Sequence, residues 1–92
     1  MSDLYLLVYA PTRFVNTELG AFLDNHPQIT YWFFNMPNSM FIATHMTAKE
    51  LSELLRNGFG HFRHFITPVA KSGSSYGYLP KDHWPLVKKY RS

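Results

Sequence analysis

The chain predicts an α+β fold of the βαββαβ type, an antiparallel sheet with two helices on one face and a short C-terminal extension. Three observations predict it. Apolar and aromatic runs of strand length recur at Leu4–Tyr9, Gln28–Asn35, Ser39–Thr44 and Gly60–Val69. Stretches with helical spacing of apolar residues follow the first and the third of these runs. The second and third runs are joined only by Met36-Pro37-Asn38, a connection with turn chemistry.

Leu4–Tyr9 reads LYLLVY, a short apolar run without a helix cap, as in a buried central strand. Pro11 cannot donate to a ladder and marks the exit. Over Thr12–Asn25, Phe14 or Val15, Leu19, and Phe22 or Leu23 recur at helical spacing, and Thr12 or Asn16 is placed to cap the start. Gly20 weakens this helix by about 1 kcal/mol relative to Ala, which points to a close approach to the sheet. Asn25-His26-Pro27 ends the helix, because the residue before proline disfavours the α region. Gln28–Asn35 and Ser39–Thr44 form a β-hairpin.

Thr47–Asn57 carries the best-signalled helix. Thr47 and Glu50 have the spacing of a capping box, Leu51, Leu54 and Leu55 line one face, and Gly58 is placed as the C-cap. Gly60–Val69 alternates as a strand with mixed faces. Lys71–Ser75 is polar and flexible in composition, and Leu79–Trp84 is able to open a short helix with Pro80 in its first turn. Right-handed crossovers place both helices on one side of the sheet, the ferredoxin-like arrangement. The other side keeps part of the aromatic set, and a bare aromatic face on a small domain is buried against a second copy or a ligand.

At 92 residues a single domain is expected, divided into a core over 1–70 and a basic C-terminal extension over 71–92 that packs on the same domain or on a dimer partner. Eight Phe, six Tyr and two Trp supply large buried areas per residue. The absence of Cys excludes disulfides, thiolate nucleophiles and Cys-based zinc sites. No apolar run approaches the roughly 20 residues of a membrane helix, and Met1-Ser2-Asp3-Leu4 lacks the basic start of a signal peptide. A cytoplasmic location is the expectation. The net charge of +3 is unevenly spread: residues 1–55 hold Arg13 and Lys49 against Asp3, Glu18, Asp24, Glu50 and Glu53, whereas residues 56–92 hold Arg56, Arg63, Lys71, Lys81, Lys88, Lys89 and Arg91 against Asp82 alone. Such a basic part attracts an anionic partner such as nucleic acid; the plainer reading is a solvated tail.

The hairpin residues Tyr31-Trp32-Phe33-Phe34 and Ser39–Thr44, the following Thr47-Ala48-Lys49-Glu50-Leu51, and the C-terminal Gly77-Tyr78-Leu79-Pro80-Lys81-Asp82-His83-Trp84 together resemble the SinR-like family of small bacterial and phage-borne proteins. The resemblance implies a ferredoxin-like fold and a distant similarity to CRISPR-associated adaptation nuclease-like proteins, which dimerise through such sheets. It carries no established activity. Those adaptation proteins place an aspartate after the aromatic that ends the first strand, where two symmetry-related carboxylates can hold a divalent metal. Here that slot reads Val8-Tyr9-Ala10, and alanine neither ligates a metal nor acts as a base. A metal-dependent nuclease is therefore disfavoured, leaving at most a degenerate one.

The five histidines, His26, His45, His61, His64 and His83, match no zinc spacing, and His61 and His64 fall on opposite faces of a strand. Ser72, Ser74 and Ser75 flank Gly73 without a nucleophile elbow, and the same loop lacks the lysine of a P-loop. No motif calls for a cofactor. The better-supported combination is basic and aromatic: Arg63 with His61, Phe65, Tyr76 and Tyr78 has the makings of a site that stacks single-stranded nucleic acid, although the signature of sheet-face RNA readers is missing. The four consecutive aromatics from Tyr31 to Phe34 alternate between core and opposite face.

The reading that follows is a non-enzymatic, homodimeric binding protein whose partner is nucleic acid or a nucleic-acid-handling protein. Arg63, Lys71, Lys81, Lys88 and Lys89 supply charge, Tyr76 and Tyr78 stack, and Trp32 and Phe34 form the dimer or partner interface. The alternative from another class is a phage or mobile-element inhibitor that binds a host defence protein.

Overall fold

In the computed structural model, which describes residues 3–10, 15–34 and 36–69, the elements follow the expected order: β1 (Asp3–Tyr9), α1 (Asn16–Asp24), β2 (Ile29–Phe33), β3 (Ser39–Thr44), α2 (Ala48–Phe59) and β4 (His64–Pro68). The four strands form one sheet in the order β2-β3-β1-β4, every neighbouring pair antiparallel. This is the βαββαβ sandwich.

The pleat sends alternate residues of β1 to opposite sides. Tyr5, Leu7 and Tyr9 face the helices, and β3 aligns Ile42 with Tyr5 and Met40 with Leu7. These side chains close a core with Leu19 and Leu23 of α1 and Leu51 and Leu55 of α2, so both helices lie on this one face. Spacings of four residues in each helix put each leucine pair on one side. Thr44 is buried at the end of β3, where its hydroxyl donates to the Gln28 carbonyl (2.7 Å) and ties the entry of β2 to the core.

The second helix starts as its sequence dictates. Thr47 accepts from the Glu50 amide (3.1 Å) while the Glu50 carboxylate accepts from the Thr47 amide (2.9 Å), the reciprocal capping box. These bonds hold the Glu50 carboxyl below its ordinary pKa. At the other end α2 continues past Gly58, the expected cap, to Phe59. Gly58 stays helical and its bare Cα admits the Phe22 ring, while Gly60, at φ 78°, is the cap residue instead.

Two further boundaries differ from expectation. Among the described residues, α1 begins at Asn16 with Val15 at the N-cap and no side-chain cap. Asn16 is drawn inward: its Oδ1 accepts from the Tyr9 hydroxyl (2.7 Å) and its Nδ2 donates to the Met36 carbonyl (2.9 Å). A buried tyrosine hydroxyl needs a partner more than a helix end open to water does. Thr12, the other proposed cap, lies outside the described residues. The last strand is shorter than Gly60–Val69. Its register with β1 starts at Tyr9 and His64, and Ala10 adds one further bond to the Arg63 carbonyl (2.9 Å); Pro11 comes next and has no amide to continue the ladder.

Candidate interface on the open sheet face

The side of the sheet opposite the helices is the candidate site. The register lays it out as three cross-strand rows. One row joins Ser39, Val8 and Phe65. The next joins Phe33, Phe41, Leu6 and Thr67. The third joins Tyr31, Ala43 and Leu4 and ends at Val69, whose amide donates to the Leu4 carbonyl (2.8 Å). None of these positions carries a charged side chain. Phe33 stacks on Phe41 with centroids 4.9 Å apart, and Tyr31 sits 6.1 Å from Phe33, so rings pave the β2–β3 half of the face.

Accessibility is graded across this face. Phe65 is 65% exposed and Val8 43%, whereas Phe33 is 7% exposed and Leu4 and Ala43 are 1% exposed. Tyr31, on the edge strand, is 41% exposed. Exposed phenylalanine and valine side by side, on a surface without charge, form an apolar patch that is favourably removed from water.

The aromatic pair chosen from the sequence as the interface faces the other way. Trp32 and Phe34 pack against the helix-side core, their rings stacked 6.2 Å apart with an interplanar angle of 4°. Trp32 lies directly over Gly20 of α1, and its indole Nε1 donates to the Asp24 carboxylate (2.8 Å). Tyr31 and Phe33 are the pair on the open face. Alternation alone gave the two pairs without saying which was which. The glycine in α1 was the available clue, since a helix loses its side chain where the largest ring of the sheet must fit beneath it.

Arg63 is exposed and precedes β4, two residues before Phe65. Lys71, Lys81, Lys88, Lys89, Tyr76 and Tyr78 lie outside the described residues, as does the expected helix near Leu79–Trp84. Among the described residues the cations Lys49, Arg56 and Arg63 are outnumbered by Asp3, Glu18, Asp24, Glu50 and Glu53. Four of those acids sit on the two helices.

Two polar constellations on the helix side escaped the sequence reading. Ser52 lies 2.6 Å from His64 Nε2, and His64 Nδ1 lies 2.9 Å from the Phe62 carbonyl. In the neutral ring Nδ1 donates to the carbonyl, which leaves Nε2 to accept the Ser52 proton. The pair has the orientation of an activated nucleophile. Ser52, however, occupies an interior position of α2, where backbone amides are spent on the helix ladder rather than offered to an oxyanion. A separation of twelve residues between strand and helix gives no local motif to find it by. The second constellation is the Tyr9–Asn16–Met36 chain, at the wall of a cleft of about 380 Å³ that Val15, Phe34 and Pro37 also line. Burial and the nearby Glu18 carboxylate raise the Tyr9 pKa. Ala10 stands at this end of β1, and Asp3 at the opposite end is aligned with Thr44.

No helix among the described residues is long and apolar enough to cross a membrane. Comparison of the chain with protein-family models, with curated proteins and with solved structures returns no match.

Proposed function

We propose that this chain is a non-enzymatic binding protein that self-associates through the open face of its sheet and offers its basic C-terminal part to an anionic partner, nucleic acid or a protein that handles it. The observation that carries the reading is the exposed Val8–Phe65 pair on an uncharged sheet face. An apolar anchor of this kind, rimmed by partly exposed side chains, is the usual centre of a protein contact. The same observation argues against this face as the nucleic-acid site, because among the described residues its three cross-strand rows hold no cation and phosphate contacts supply most of such affinity. The charge for an anionic partner resides in Arg63 and in Lys71, Lys81, Lys88 and Lys89. The resemblance to the SinR-like family, with its implied dimerisation through the sheet, points the same way.

Light scattering on the eluting protein tests the first half. The wild-type chain is expected to run as a dimer at tens of micromolar, and Phe65→Glu as a monomer with an unchanged thermal melt. A wild-type monomer at every concentration sinks the self-association reading. A titration with short labelled RNA and DNA at about 50 and 200 mM salt tests the second half: binding that falls steeply with salt supports it, and no binding at the lower salt removes nucleic acid as the direct partner.

A further inference from the structure

We infer that Ser52 is a modification site: a serine activated by His64 that takes a short acyl group from an activated ester and keeps it. The inference goes beyond the binding reading above and does not depend on it. The geometry of the Ser52–His64 pair carries it. The Phe62 carbonyl, 2.9 Å from His64 Nδ1, is an acceptor only, so in the neutral ring Nδ1 holds the proton and Nε2 keeps a lone pair. That lone pair lies 2.6 Å from Ser52 Oγ. The hydroxyl proton is therefore aimed at a base, and not at the Ala48 carbonyl one turn back, the local acceptor open to a serine within a helix.

The imidazole is held in this pose. His64 is aligned with Tyr9 and Ile66 with Leu7, which puts both on the helix side of β4. The Phe62 ring stacks on the imidazole with centroids 4.6 Å apart. Ser52 and His64 are each half-buried, within reach of a small reagent. Beside them lies a depression of about 250 Å³ lined by Ala48, Lys49, Ser52, His64, Phe65 and Ile66. Ala48 and Lys49 precede Ser52 by four and three residues and share its side of α2. Ala48, Phe65 and Ile66 give apolar walls to an acyl chain. The volume lies below the roughly 300–1,000 Å³ of sites for larger ligands, which selects a short chain. Lys49 offers positive charge to a carbonyl oxygen as it becomes anionic.

The step is an acyl transfer. Ser52 Oγ attacks the ester carbonyl carbon while His64 Nε2 takes the hydroxyl proton. The tetrahedral intermediate collapses, the bond to the leaving oxygen breaks, and His64 returns the proton to that oxygen. One C–O bond forms, one breaks, and nothing is oxidised or reduced. The reaction stops there. Amides around Ser52 belong to the helix ladder and hold no oxyanion. A good leaving group tolerates that lack, whereas the serine alkoxide, which hydrolysis must expel, does not. Each chain is modified once, without turnover.

The test treats the full chain with p-nitrophenyl acetate and maps the acetyl group by peptide mass spectrometry. Ser39 is an internal control, half-buried like Ser52 but bonded to the Met36 carbonyl instead of a base. Ser52 is expected to be acetylated at least tenfold faster than Ser39, to lose that advantage in urea, and to react about 100-fold more slowly in His64→Gln. Equal rates at Ser52 and Ser39, an unchanged Ser52 rate in a folded His64→Gln protein, or sustained p-nitrophenolate release that Ser52→Ala abolishes would each overturn the inference. Should His64→Gln fail to fold, long-range nitrogen–proton NMR of the wild-type imidazole gives a second measurement. The Nδ1–H tautomer is expected in the neutral ring, and the Nε2–H tautomer overturns the assignment of His64 as the base.

Discussion

Replacing Gly20 with alanine isolates the contact that orients β2. In an ordinary helix interior Gly→Ala stabilises by about 1 kcal/mol. Here the added Cβ would lie 2.3 Å from Cη2, 2.4 Å from Cζ2 and 2.8 Å from Cζ3 of Trp32. Carbon contacts settle near 3.5–4.0 Å, so the indole must withdraw by more than about 1 Å. It is not free to do so cheaply. Its Nε1 is bonded to Asp24, Phe34 stacks beside it, and the rest of the ring packs on the core. Overpacking of this kind costs about 1–3 kcal/mol, and loss of the indole bond adds about 0.5–1.5 kcal/mol. Set against the helix gain, the net is a destabilisation of about 0.5–3.5 kcal/mol, or a fall in Tm of roughly 2–28 °C for a domain of this size. Urea denaturation followed by circular dichroism measures it. In a Trp32→Leu background the obstruction is gone, and Gly20→Ala should stabilise by about 0.5–1 kcal/mol, so the cycle yields a coupling energy of opposite-signed effects. A Gly20→Ala protein with a higher urea midpoint than wild type would show that the ring moves without loss, and that the helix–sheet contact described here does not constrain it.

The open face should respond unevenly to truncation: Leu4→Ala is expected to cost about 2–5 kcal/mol, while Val8→Ala, on the same strand and face, stays within about 1 kcal/mol in a dilute monomer; denaturation midpoints compare them. Thr47→Ala removes the N-cap and should cost about 1 kcal/mol. Because the capping bonds lower the Glu50 pKa, the ionised carboxylate stabilises the fold at neutral pH, and that contribution is lost as pH falls through the carboxylate range. Glu50→Gln keeps an acceptor for the Thr47 amide and should flatten the acid limb of a stability–pH curve. Tyr9→Phe leaves the buried Asn16 carbonyl without its donor and should cost about 1–3 kcal/mol. Burial and then Glu18 raise the Tyr9 pKa, so the wild-type fold should also lose stability as pH rises past about 10, and the variant should lose less of it there; thermal melts across alkaline buffers report this.

Local signals in this chain were legible wherever one residue's chemistry decides the backbone around it. Thr47 and Glu50 name the start of α2 because the two side chains satisfy each other's backbone amides. Pro11 and Pro27 mark ends because proline restricts its neighbours and lacks an amide. The alternation in β1 divides Tyr5, Leu7 and Tyr9 from Leu4, Leu6 and Val8 because successive side chains of a strand point opposite ways.

The choices between alternatives were made elsewhere. Asn16 looked like a cap and became a buried partner of Tyr9, a contact that exists only once β1, α1 and the hairpin are assembled. Gly58 looked like a C-cap and stayed helical because the Phe22 ring of the other helix needs its space. Trp32 and Phe34 were indistinguishable from Tyr31 and Phe33 by period alone; the register of β2 on β3, fixed by which pair fits under Gly20, sends the first pair to the core and the second to the open face. By itself the sequence determined the order of elements, the two-fold division of every strand and the uneven spread of charge. Only the tertiary structure decided which strand face lies away from the helices, which of its residues are buried and that Val8 stands beside Phe65, because those depend on pairings between residues tens of positions apart, where no local pattern carries the information.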